Sequence, residues 1–102
     1  MKFVIVGLGS IGARHKKVLE SLNHQVVPCH RDDDLSLILK KNKPNGVLVC
    51  NPNNLHIKTG LEVIKNGYHL FMEKPLSLNL NGVEKLVKLA KKKKLVMQMG
   101  YI

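Results

Sequence analysis

The chain has 102 residues, of which 44% are hydrophobic, and carries a formal net charge of +10. That length holds one core and one domain, and excludes a nucleotide domain joined to a substrate domain; the hydrophobic share excludes a disordered chain. Aromatic residues are 4% with no Trp, so the core is aliphatic, and no apolar run reaches the ~20 residues of a membrane span.

Strand and helix patterns alternate along the whole chain. Lys2 to Gly7 is a near-continuous apolar run, as in a strand covered on both faces. Ile11, Val18, Leu19 and Leu22 keep helical spacing, and Asn23 is the stop. Gln25 to Cys29 is a second strand; Pro28 lacks an N–H donor, which puts this strand at a sheet edge or a bulge. Asp32, Asp33 and Asp34 open a helix over Asp34 to Lys41, with Leu35, Ile38 and Leu39 inward, and carboxylates suit the positive end of a helix. Pro44-Asn45-Gly46 breaks the chain before a third strand, Val47 to Cys50.

Asn54 is the expected cap of a helix through Leu55, Leu61 and Ile64 that ends at Asn66-Gly67. Tyr68 to Met72 is the fourth strand. Leu80 to Lys94 is the last helix, with Val83, Leu86, Val87 and Ala90 inward, and Leu95 to Tyr101 is the fifth strand. Alternating βα units of this kind predict an α/β fold: a Rossmann-like doubly wound sheet of about five parallel strands with helices on both faces, in a single domain over 1–102. Ligands of such sheets bind beyond the carboxyl ends of the strands.

Gly7-Leu8-Gly9-Ser10-Ile11-Gly12 has the spacing G-x-G-x-x-G and lies between a strand and a helix, the context the motif requires. Gly7 permits the tight turn, Gly9 lets a pyrophosphate approach the backbone, and Gly12 lets the helix pack against the strand. The N–H groups of the helix starting near Ser10 and Ile11 then face the phosphates. The end of the second strand reads Cys29-His30-Arg31-Asp32. If His30 holds the position of the usual ribose-binding acid, Arg31 pairs with a 2′-phosphate and NADP is favoured; if the register slips by two, Asp32 takes the acidic role and NAD is favoured. The reading inclines slightly to NADP.

The glycine loop with Ala13-Arg14-His15, then Val47 to Asn53 with His56, then Glu73-Lys74-Pro75-Leu76, resembles the Gfo/Idh/MocA oxidoreductases, and the resemblance runs to Met99-Gly100-Tyr101. Three features depart from that family: Asn51 replaces a usual Thr or similar residue, the stretch from Asp32 to Asn45 is short, and the family continues into a second domain. The resemblance implies an N-terminal NAD- or NADP-binding domain. It also implies hydride transfer between nicotinamide C4 and a hydroxyl- or carbonyl-bearing carbon of a sugar- or cyclitol-like substrate. In it Lys74 takes the position of the lysine that contacts the substrate and the nicotinamide ribose. A lysine at that end of a buried strand suits polarising a carbonyl oxygen, and Glu73 is placed to orient Lys74 or a ribose hydroxyl.

Asn51, Pro52 and Asn53 are expected along the pyrophosphate and ribose, and His56 in packing and hydrogen bonding beside them. The general acid or base of the family falls in the second domain. The alternative is a stand-alone dinucleotide-binding module or subunit without its own dehydrogenase activity.

No Cys/His spacing resembles a metal site. Cys29 and Cys50 end strand-like runs and read as reduced, buried thiols of a cytoplasmic protein. The charge admits nucleic-acid binding or attraction of a phosphate-bearing cofactor, but Lys91 to Lys94 end a helix, where cations are solvated and complement its dipole. With Phe3, Tyr68, Phe71 and Tyr101 as the aromatics, all on predicted strands, no nucleic-acid partner is expected. No membrane partner is expected either. Apolar surface where a second domain would dock points to self-association.

Overall fold

The computed structural model describes residues 1–51, 55–73 and 80–100, without the side chains of residues 73, 80, 81, 99 and 100. The elements in order are β1 (Lys2–Val6), α1 (Ser10–Ser21), β2 (Gln25–Cys29), α2 (Leu35–Asn42), β3 (Gly46–Val49), α3 (His56–Lys65), β4 (Leu70–Glu73), α4 (Leu80–Lys92) and β5 (Met97–Gly100). All five strands pair in parallel, in the order β2-β1-β3-β4-β5. β2 is an edge strand, as Pro28 requires, with Pro28 opposite Ile5.

The sheet's order dictates an uneven covering. The chain moves left from β1 to β2 and then right through β3, β4 and β5. Right-handed crossovers therefore put α1 on one face and α2, α3 and α4 on the other. Alternation along the strands sends Val4, Val6, Val47, Val49, Leu70 and Met72 into the face under the three helices. They meet Leu35 and Leu39 of α2, Val63 and Ile64 of α3, and Leu86 and Ala90 of α4 in one aliphatic core. On the opposite face Ile5, Leu48 and Phe71 stand in register across β1, β3 and β4, and His15 of α1 meets Phe71 edge-on at 5.9 Å between ring centroids.

Several expectations shift. Val18 (51% exposed) and Leu22 (61%) are not buried, because among the described residues α1 has no neighbouring helix on its face and approaches the sheet through Gly12 and His15. Val87 is also exposed, and Leu89 packs on the core in its place. Tyr68 precedes β4 instead of opening it; its hydroxyl donates to the Leu39 carbonyl at 3.0 Å, which ties the chain to α2. α4 stops at Lys92, since Lys94 takes a left-handed conformation (φ 57°) and the Leu95 N–H closes on the Ala90 carbonyl at 2.9 Å. β5 is accordingly shorter than expected, and Tyr101 lies outside the described residues. Asn23 does end α1, with φ 66°. The cap of α2 is Asp34, whose carboxylate accepts from the Leu37 N–H at 3.2 Å. The expected cap Asn54 lies outside the described residues; the residue before α3 is Leu55, which makes no side-chain cap bond.

Candidate cofactor site

The chain leaves β1 through Gly7, whose φ of +88° is the left-handed region that glycine tolerates. A Cβ on Gly7 would sit 2.8 Å from both the Cα and the N of Asn51, at the end of β3. A Cβ on Gly12 would sit 2.0 Å from the Gly7 carbonyl oxygen. The first turn of α1 is thus pressed against the end of β1 as closely as backbone allows. At Gly9, the N-cap of α1, a Cβ would meet nothing within 4 Å, so the space above the helix start is open. The three glycines divide their work as the motif demands, two for close packing and one for approach. Ser10 and Gly9 are exposed at this start and Ile11 is half-buried.

Beside the loop a cleft of about 370 Å³ opens at the ends of β1, β2 and β3, where the strand order reverses. Gly7, His30, Arg31 and Asn51 of the expected set line it. Asn51 is held by a 2.8 Å bond from its Nδ2 to Thr59 Oγ1. The stretch after β2 forms a tight turn: the His30 N–H donates to Asp33 Oδ2 at 2.8 Å, and the Asp33 N–H donates to the His30 carbonyl at 3.0 Å. This turn swings Asp33 and Asp34, and not Asp32, to the cleft, so the two-residue slip that would make Asp32 the ribose acid does not match the lining. His56 opens α3 at 2% exposure and does not line the cleft, which fits a packing role. Glu73 ends β4 without a described side chain; Pro52, Asn53 and Lys74 lie outside the described residues.

Sequence reasoning missed Lys58, Thr59 and Glu62, which reach the cleft from α3 together with Leu55. A signal was there: positions 55, 58, 59 and 62 share one face of a helix. Glu62 accepts from the Ser36 hydroxyl at 2.8 Å, which joins α2 to α3 behind the cleft.

Cys29 and Cys50 form no disulfide; Cys29 is buried and Cys50 half-buried. Burial, with Asp33, Glu62 and Asp34 adding to it, pushes the Cys29 thiol up from 9.0 to about 11. Above pH 9 the unfolded chain then loses this proton while the folded chain keeps it. Stability is therefore unaffected below pH 9 and falls as pH rises through 11, by ~2–3 kcal/mol. Denaturant midpoints between pH 8 and 11 are expected to show that loss, and Cys29→Ala to flatten it; an equal loss in the variant would contradict the assignment. Among the described residues no group of three or more His, Cys, Asp or Glu side chains is placed to hold a metal, and no helix is long and apolar enough to cross a membrane.

The fold and this cleft define a dinucleotide-binding α/β domain. Residues 18–101 match the model of the oxidoreductase family with the NAD-binding Rossmann fold, GFO_IDH_MocA, and the chain belongs to that family. The match starts downstream of the glycine loop, so the loop is read from its own geometry. A myo-inositol 2-dehydrogenase of Thermotoga maritima is 29% identical over 99% of this chain, which spans 36% of that relative's length. The alignment runs over 120 positions against 102 residues, so the relative carries stretches that this chain lacks. Among solved structures, a WlbA dehydrogenase from Chromobacterium violaceum in complex with NADH and UDP-GlcNAcA superposes with a TM-score of 0.87 at 22% identity, over 98% of this chain and 34% of that one. A biliverdin reductase from Synechocystis in complex with biliverdin and NADP+ superposes with a TM-score of 0.82 at 20% identity, over 96% of this chain and 37% of that one.

Proposed function

We propose that residues 1–102 form the NAD(P)-binding domain of a cytoplasmic oxidoreductase that moves hydride to or from a hydroxyl- or carbonyl-bearing carbon of a sugar- or cyclitol-like substrate. The observation that carries this reading is the opening of the glycine loop at Gly7 into the cleft at the reversal of strand order, with Gly12 packing α1 against β1 and open space above Gly9. The first turn of α1 would hold the pyrophosphate, and the end of β2 with Asp33 and Arg31 would hold the adenosine ribose. A nicotinamide ring supplies the hydride acceptor or donor. Lys74, just beyond the end of β4, would touch the reacting oxygen and stabilise negative charge on it. Glu73 would orient that lysine, and residues 51–53 would border the phosphates and ribose. A second domain would bind the substrate and supply the general acid or base, and the domain would self-associate.

Cofactor choice turns on the end of β2. Arg31 favours a 2′-phosphate, which is why the sequence inclines to NADP. Asp33, Asp34 and Glu62 all act on Cys29 at that same end of the cleft. Three carboxylates against Arg31 and Lys58 disfavour a dianionic phosphate, and Asp33 presents an acceptor to a ribose hydroxyl, so NAD is the better fit. Calorimetric titration with NADH and NADPH is expected to favour NADH in the parent chain. Asp33→Asn is expected to shift the ratio toward NADPH by about tenfold, a little over 1 kcal/mol. Arg31→Ala is expected to weaken NADPH more than NADH. A parent chain that prefers NADPH, with a ratio Asp33→Asn leaves unchanged, would overturn the choice of NAD and leave the domain assignment standing.

A further inference from the structure

Every helix in a parallel α/β sheet runs back to the edge where the strands begin, so that edge collects the helix C-termini. Here it also collects the charge. Lys40, Lys41 and Lys43 lie at the end of α2, Lys65 at the end of α3, and Lys91 to Lys94 at the end of α4, all exposed. The ends of α3 and α4 touch, since Lys93 Nζ donates to the Lys65 carbonyl at 3.0 Å. Lys2 Nζ donates to the Asn42 carbonyl at 3.2 Å, which brings the start of β1 to the end of α2. Of the seven Asp and Glu residues in the chain, Glu20 and Glu62 lie in the last turns of α1 and α3; Glu20 is paired with Lys16 at 3.1 Å and Glu62 accepts from the Ser36 hydroxyl. The others are in the β2–α2 connection, at the end of β4 and in the second turn of α4. Among the described residues none of the edge lysines has a carboxylate partner.

One or two cations per helix end serve the helix dipole; α4 has Lys91 and Lys92 in its last turn, and Lys93 and Lys94 follow in the turn beyond it. The excess does not serve the cofactor either, because the cleft opens at the opposite edge. A second feature shares the basic edge. Leu22, the residue after α1, is 61% exposed, and Val96, the residue before β5, is 62% exposed. Exposed apolar side chains give nothing to a phosphate chain in water, but they gain by entering the headgroup layer of a bilayer, while the lysines along the same edge meet anionic lipid.

We propose that the strand-start edge of the sheet, with the lysines that end α2, α3 and α4 and with Leu22 and Val96, docks on an anionic lipid surface and leaves the cofactor cleft facing away from it. This goes against the sequence expectation of no membrane partner and does not depend on which cofactor is bound.

The test is co-sedimentation of the full chain with phosphatidylcholine vesicles, neutral or containing about a third phosphatidylglycerol. Binding is expected on the anionic vesicles alone, weakening as salt rises and unchanged by saturating NADH. Lys91→Glu with Lys92→Glu is expected to weaken it at least about tenfold. Leu22→Ser with Val96→Ser is expected to weaken it severalfold without changing the affinity for a duplex DNA probe. Arg14→Glu with Lys85→Glu, the same change in net charge in the first halves of α1 and α4, is expected to have little effect. Circular dichroism checks that each variant folds, and if the Lys91/Lys92 variant does not, the Leu22/Val96 pair carries the test. No binding to anionic vesicles, or equal loss in the Arg14/Lys85 control, would overturn the proposal. Tighter binding of DNA with no effect of Leu22 and Val96 would overturn it in favour of a nucleic-acid surface.

Discussion

Gly12→Ala is expected to be more damaging than the same change at Gly9, Gly46, Gly60 or Gly67. Its Cβ would stand 2.0 Å from the Gly7 carbonyl oxygen, so α1 cannot keep its place against the end of β1. The obstacle is backbone, which a side-chain rotation cannot relieve, and Gly7 is itself pressed against Asn51. A loss of about 3–5 kcal/mol is expected, in the range reserved for overpacked or strained sites. Urea unfolding measures it directly. A loss below about 1 kcal/mol, the ordinary size of a surface change, would mean that the loop and helix are not packed as described.

Gly9→Ala should do the reverse. No atom lies within 4 Å of the added Cβ and the residue's φ of −66° suits alanine, so stability should fall by less than about 1 kcal/mol, the size of a changed N-cap. The same methyl would stand in the open space where the pyrophosphate approaches the helix start. NADH affinity should fall by about a hundredfold, or ~3 kcal/mol. The pair separates two roles that the spacing G-x-G-x-x-G merges: Gly12 is required by the fold and Gly9 by the ligand. A Gly9→Ala chain that binds NADH normally would remove the glycine loop from the cofactor site. A Gly9→Ala chain that unfolds would show that the loop is structural only.

The architecture was legible because the signals are local and redundant. The apolar runs at Phe3–Val6 and Val47–Val49 have no polar alternation and so read as buried strands. Pro28 marked its strand as an edge by a missing donor, with no knowledge of the partners. Inward faces were legible only where a helix is packed closely against the sheet. Leu35 and Leu39 follow the period and are buried, whereas Val18 and Val87 follow a period too and are exposed. Periodicity shows which residues share a face, but not how much of that face its neighbours cover.

The site was half legible for a related reason. Gly7 and Gly12 announce themselves because backbone contact leaves no other residue type possible. Asp33 was hidden among three aspartates until the turn fixed by its bond to the His30 N–H brought it and Asp34, and not Asp32, to the cleft. Lys58, Thr59 and Glu62 belong to the site only because α3 leans over the end of β3, a tertiary fact. The lysines of the basic edge look in sequence like separate helix ends; parallel topology brings them together.

The central claim is that a nicotinamide dinucleotide occupies the glycine loop and the adjoining cleft. The most direct measurement is an amide proton–nitrogen NMR titration of this chain with NADH. Saturable shifts are expected at Gly7, Gly9, Gly12, His30 and Asn51, with the amides of Lys91 to Lys94 unmoved. An absence of saturable shifts with both NADH and NADPH, or shifts confined to the lysine edge, would contradict it.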